Sequence, residues 1–192
     1  MQKPAFEPWT VAEFLAWERA QQERYEFVDG IVRMMVGGSV AHAIIKGNVY
    51  AALRQQFGDG ACQPYVDGPK VVTSTAVMYP DVVVSCREPS PQDDTIPEPV
   101  LVVEVLSSST ESFDRGGKWR AYQEIDSLRY FVLIAQSECR VELYAKNAGA
   151  WSFTVLDRAD GMLAMPGLKI RLSLRDVYRR AWGAHQASPT SS

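Results

Sequence analysis

The sequence predicts an α/β or α+β domain in which a mixed β-sheet carries helices against it. Short apolar runs of strand length alternate with segments of helical period, in the order helix, hairpin, helix, strands, helix, strands. At 192 residues the chain suits one domain, which buries roughly 70% of the surface its unfolded form exposes. Its 46% apolar content and net charge of −3 exclude disorder for the bulk.

Thr10 opens the first helix. With Glu13 three positions on it forms a capping box, and Phe14, Leu15 and Glu18 carry the helix to about Gln22. Arg24–Val28 and Ile31–Val36 flank Asp29-Gly30, a dipeptide that favours a tight type I′ hairpin turn. After Gly37-Gly38, Ser39 caps a second helix from Val40 to Phe57, with Ile45, Val49, Ala52 and Leu53 on one face; Gly58 and Gly60 end it. Strands are predicted at Ala61–Val66, Lys70–Thr75, Asp81–Ser85 and Val100–Leu106, and the proline-rich stretch Arg87–Pro99 reads as a surface loop. Ser107–Thr110 offers N-caps for a helix reaching Ile125. Gly116 and Gly117 each cost it about 1 kcal/mol, so its regular part is expected from Lys118. Three more strands (Arg129–Ala135, Arg140–Ala145, Ser152–Leu156), an apolar stretch Met162–Leu174 and a short helix Leu174–Trp182 complete a single domain over 9–182. The small, polar tail 183–192 is expected to be disordered.

Composition narrows the function classes. No apolar run reaches the ~18 residues of a membrane span, and 1–9 holds no apolar core of a secretory signal. Three scattered cysteines (Cys62, Cys86, Cys139) make a disulfide framework unexpected and point to a reducing cytoplasm. With only His42 and His185, a Cys/His zinc site is close to excluded. A pI near 5.5 argues against broad phosphate neutralisation, yet leaves room for local contact with nucleic acid helped by a divalent cation.

Chemistry concentrates at two strands. Val100–Leu106 is apolar on both faces except for Glu104, and a buried carboxylate must be protonated, paired or metal-bound. Asp81 follows Tyr79-Pro80 at the head of another apolar strand. Alone, Asp81 reads as a turn residue, and Glu104 reads equally as half of an ion pair with an arginine. Side by side, the two would hold a hard cation such as Mg²⁺. Asp114 and Lys118 share a helix face with Tyr122, either as an exposed pair or turned toward the carboxylates. Glu26 alternates with Tyr25 and Phe27, so it is a solvent-facing hairpin residue or a further acid of the site. His42 lies on the apolar helix face with Ile45 and Val49, where a hydrogen-bonded core histidine is the plainer reading.

The strings Tyr25-Glu26-Phe27-Val28-Asp29-Gly30, Ser39 with His42, Pro80-Asp81-Val82-Val83-Val84, Val103-Glu104-Val105-Leu106-Ser107 with Thr110, and Asp114-Arg115 with Lys118 and Tyr122 together resemble the Uma-two family. That family consists of restriction-endonuclease-like proteins of the PD-(D/E)xK nuclease superfamily, and the resemblance runs from about Trp9 to Tyr178. It implies a restriction-endonuclease-like core, a central mixed sheet flanked by helices. It also implies Asp81, Glu104 and the Val105 carbonyl as ligands of Mg²⁺ or Mn²⁺, and Glu26 as an additional acid. The superfamily's lysine two places after the second acid would fall at Leu106, so its role passes to Lys118 on the next helix. Lys118 would orient the attacking water or stabilise the transition state, with His42 and Asp114 as accessories. The implied activity is a metal-dependent endonuclease acting on nucleic acid, DNA first. The alternative is a non-cleaving nuclease-fold module for binding or assembly. A hydrolase with a nucleophile in Ser107–Ser109 lacks a histidine placed to activate it. Five tryptophans and exposed apolar strands would suit a homodimer.

Overall fold

The computed structural model describes residues 9–107 and 110–182. Helix α1 (Val11–Glu18) starts at the capping box, where the Glu13 amide donates to Thr10 Oγ1 at 3.2 Å and the Thr10 amide to Glu13 Oε2 at 2.8 Å. It stops four residues short of the expected Gln22. Strands β1 (Tyr25–Val28) and β2 (Ile31–Met34) form the hairpin, with φ of 50° at Asp29 and 83° at Gly30, both positive as type I′ requires. Helix α2 (Val40–Phe57) begins at Ser39, which accepts from the His42 amide, and ends at Gly58 with φ 55°.

The remaining strands are β3 (Gln63–Val66), β4 (Val71–Val72), β5 (Ala76–Met78), β6 (Val82–Ser85), β7 (Pro99–Leu106), β8 (Tyr130–Ala135), β9 (Val141–Asn147), β10 (Ala150–Leu156), β11 (Met162–Met165) and β12 (Ile170–Ser173). The predicted strand Lys70–Thr75 shrinks to two residues. Strand β5 was not foreseen: three residues do not establish an alternation, and its partner β1 lies about fifty positions away. The apolar stretch Met162–Leu174 folds as the β11–β12 hairpin, and the last helix is the short α5 (Leu174–Val177). The tail 183–192 lies outside the described residues.

A central six-stranded sheet has the order β10-β9-β8-β7-β6-β3; only β7 and β8 run parallel, so the sheet is mixed. Beside it stands an antiparallel sheet of order β2-β1-β5-β4. Alternation along β7 divides the interior. Val103 and Val105 meet Ile45, Val49 and Leu53 of α2, together with β11, β12 and α5. Val102 and Leu106 face the opposite layer, with Tyr122, Val28 and Met78. Glu104 lies between Val102 and Leu106 and therefore points into that second layer.

The helix after β7 does not wait for Lys118. It runs as α3 (Glu111–Phe113), one wide π-turn over Asp114–Lys118, and α4 (Trp119–Gln123). The glycines thus widen the helix instead of breaking it. A Cβ at Gly117 would sit 3.2 Å from Val28 Cγ1, so this turn packs directly on β1.

Cys62 and Cys86 form a disulfide, which corrects the expectation drawn from an odd cysteine count. The pairing follows from register: β3 opposes β6 with Gln63 across from Ser85, and one further residue sets Cys62 against Cys86. A count carries no such register. The bond closes a separation of 24 residues, and Cys62→Ser should lower the unfolding free energy by about 3 kcal/mol. Urea midpoints of wild type and variant, both without reductant, measure this; coincident midpoints would remove the disulfide from the stability of the fold.

Candidate active site

Three acids converge on one ammonium. Lys118, in the π-turn, places its Nζ 2.8 Å from Glu26 Oε1, 3.2 Å from Glu104 Oε1 and 3.2 Å from Asp114 Oδ1. The acids come from β1, β7 and the first residue of the same turn, and the group is enclosed: the side chains of Lys118 and Glu104 are only 6% and 5% exposed. Glu104 is therefore paired with a lysine, not with the arginine considered from sequence. Tyr122 OH donates to Glu104 Oε1 at 2.9 Å, and the Tyr79 amide donates to Glu26 Oε1 at 2.9 Å. Glu26 is buried on the face of β1 it shares with Val28, which rules out the solvent-facing hairpin reading.

Asp81 joins this group from the sheet. The β6–β7 register pairs Val82 with Val103, and continued by one residue it sets Asp81 opposite Glu104. The Val105 amide donates to Asp81 Oδ2 at 2.7 Å, which ties Asp81 to the backbone of β7 next to Glu104. On the other oxygen, His42 Nε2 lies 2.7 Å from Asp81 Oδ1. His42 is hydrogen-bonded and largely buried, as the plainer reading expects, and its partner is an acid of the candidate site. Lys46, one turn further along α2, comes to 3.9 Å from the same oxygen.

The electrostatics follow from enclosure. Burial pushes the Glu104 carboxyl well above its ordinary range; Lys118 opposes this, while Asp114, Asp81 and Glu26 add to it. For Lys118, burial alone would favour the neutral amine, but Glu104, Glu26 and Asp114 outweigh it and raise the ammonium well above its usual value. Burial, then Glu104, also raises the Tyr122 phenol, which stays a donor. Three carboxylates on one ammonium, with Asp81 adjacent, leave excess negative charge in a dry place. Asp114 Oδ1 is buried, and its polar partner is the Lys118 ammonium that Glu26 and Glu104 also share.

A hard divalent cation fits the acids of this group, whose donor atoms are carboxylate oxygens. Among the described residues no three His, Cys, Asp or Glu side chains are already gathered as a metal cage. Asp81 and Glu104 are the two acids that the β6–β7 register, continued by one residue, sets opposite each other.

Sequence reasoning missed two participants. Lys46 is four positions from His42, and helical spacing alone would have placed it on the same face. Tyr79 contributes a backbone amide, which no side-chain pattern reveals. Its phenol donates to Glu18, whose other oxygen takes Lys70 Nζ at 3.0 Å. Burial and then Glu18 push this phenol up to about 12. A folded value above the unfolded one means that its stabilisation is full below pH 10 and fades as the pH rises through about 12. The melting-temperature advantage of wild type over Tyr79→Phe should therefore be constant up to about pH 10 and narrow above it; a gap that widens in alkali would contradict the assignment.

Comparison with known proteins adds the following. A family model described as "Putative restriction endonuclease" (Uma2) matches residues 11–175. Two uncharacterized proteins of Synechocystis sp. are similar along most of their length: slr1290 is 33% identical over 172 residues, covering 87% of this chain and 90% of its own, and sll1609 is 33% identical over 167 residues, covering 84% and 94%. Among solved structures, a crystal structure of a "putative nuclease belonging to DUF820" from Anabaena variabilis superposes with a TM-score of 0.75 at 17% identity, covering 91% of this chain and 99% of that one. At that identity the likeness speaks for the fold.

Proposed function

The chain belongs to the Uma2 family, whose model reads "Putative restriction endonuclease", and from that premise we propose a cation-dependent endonuclease that hydrolyses phosphodiester bonds of nucleic acid, DNA first. The observation that carries this reading is the buried convergence of Glu26, Glu104 and Asp114 on Lys118 with Asp81 beside them. Gathering four acids around one buried ammonium is costly for a purely structural core and suits a site that takes a cation.

In this reading Asp81 and Glu104 hold Mg²⁺ or Mn²⁺, which when bound offsets the phosphate charge and lowers the pKa of water. The protein's own groups do the rest. His42 and the Val105 amide fix the two oxygens of Asp81, and Tyr122 fixes Glu104. Lys118 gathers the acids and keeps a positive charge beside the position where negative charge grows on the phosphoryl oxygens. Glu26 and Asp114 hold Lys118 in that place.

The test is cleavage of DNA and RNA with Mg²⁺ or Mn²⁺ by wild type, Asp81→Ala and Glu104→Ala. Metal-dependent cleavage by wild type alone is the expected result. Equal activity in all three would refute the assignment of these residues, and absence of cleavage together with absence of cation binding by calorimetry would favour a non-cleaving binding module.

A further inference from the structure

Lys118 cannot be the cation that first meets a substrate. It is enclosed, it belongs to the layer opposite α2, and it is tied to three carboxylates at 2.8–3.2 Å. The outer side of Asp81 is different. There α2 presents His42 and, one turn on, Lys46, whose side chain is 18% exposed. Lys46 Nζ is 3.9 Å from Asp81 Oδ1 and 2.6 Å from Asp67 Oδ1, and Asp67 is 66% exposed at the turn that follows β3.

We infer that Lys46 is a substrate-binding residue that takes a phosphate oxygen of the nucleic-acid backbone beside Asp81, with exposed Asp67 as the counter-ion it leaves. The inference rests on the nuclease reading for the identity of the anion. Its energetics favour exchange. An exposed ion pair such as Lys46–Asp67 holds its partners by a factor of about five at most. A charge-assisted hydrogen bond to a phosphate in a half-enclosed place is worth about tenfold or more. Geometry favours it too: the ammonium already lies between the surface acid and the site, so the swap requires a rotation of one flexible side chain and no movement of α2. His42 does not compete for this role, because its Nε2 is engaged with Asp81 and its Nδ1 is buried.

The experiment is fluorescence anisotropy with labelled single-stranded DNA, double-stranded DNA and RNA oligonucleotides, using the full chain with Ca²⁺ in place of Mg²⁺, across a salt series. Lys46→Met should weaken binding about tenfold and flatten the slope of log K against log salt by about one. Lys46→Arg should restore both. Asp67→Asn should tighten binding about two- to fivefold, because it frees the ammonium. A merely structural surface pair predicts no gain from Asp67→Asn, and a gain in affinity does not arise from misfolding. Wild-type binding with unchanged Lys46→Met, or weaker binding by Asp67→Asn, overturns this inference and leaves the nuclease reading standing. No oligonucleotide binding by wild type, with or without the cation, overturns both.

Discussion

Lys118→Met should cost about 3–5 kcal/mol of unfolding free energy, the scale for removing one partner from a buried ion pair. The magnitude follows from what remains: Glu26, Glu104 and Asp114 would face each other in the interior with no ammonium among them. Desolvation of each acid is then uncompensated, and their mutual repulsion adds to it. Combining Lys118→Met with Glu104→Gln should recover part of the loss, since one of the three charges disappears. Urea denaturation of wild type, the single variant and the double variant reads this directly. A Lys118→Met midpoint equal to wild type would mean that the cluster does not depend on its ammonium.

Glu104→Gln should separate stability from activity. The amide oxygen still accepts from Tyr122, and Lys118 keeps Glu26 and Asp114, so no charge is orphaned. The carboxyl of Glu104 is held well above its ordinary range by burial and the neighbouring acids. Its favourable contribution is therefore present in acid and lost as the pH rises through the folded value. The variant should match wild type in acid and become the more stable of the two toward neutral pH, as followed by thermal unfolding. Cleavage should nevertheless fall by about 10²–10³-fold, the scale for removing one preorganised polar group that stabilises a transition state. A stability loss of several kcal/mol with activity intact would assign Glu104 to the core.

The candidate site was legible wherever a residue contradicted its local pattern. Glu104 interrupts an otherwise apolar strand, and Glu26 alternates with Tyr25 and Phe27, so burial of its face made it a charged residue in an interior layer. Asp29-Gly30 and Ser39 set their turn and cap through local backbone demands, and those elements appear where expected. What stayed illegible depends on register or on tertiary packing. Cys62 and Cys86 meet because two strands align, and β5 exists because β1 and β4 lie on either side of it. Gly116 and Gly117 read as weak helix, and only the approach of Gly117 to Val28 shows why the turn keeps a residue without a side chain there.

That wide turn fixes the phase of everything after it. A π-turn takes in one residue more than an α-turn, and each helical residue advances the direction of side chains by about 100°. With the surplus residue, both Lys118 and Tyr122 look back toward Glu104. Deleting Gly116 would let the segment relax into a regular helix, and the rotation would carry Tyr122 away from that carboxylate while Lys118 lost its place among the acids. Substitutions at individual acids tune the charge of the centre, whereas the length of this one segment decides whether the centre assembles.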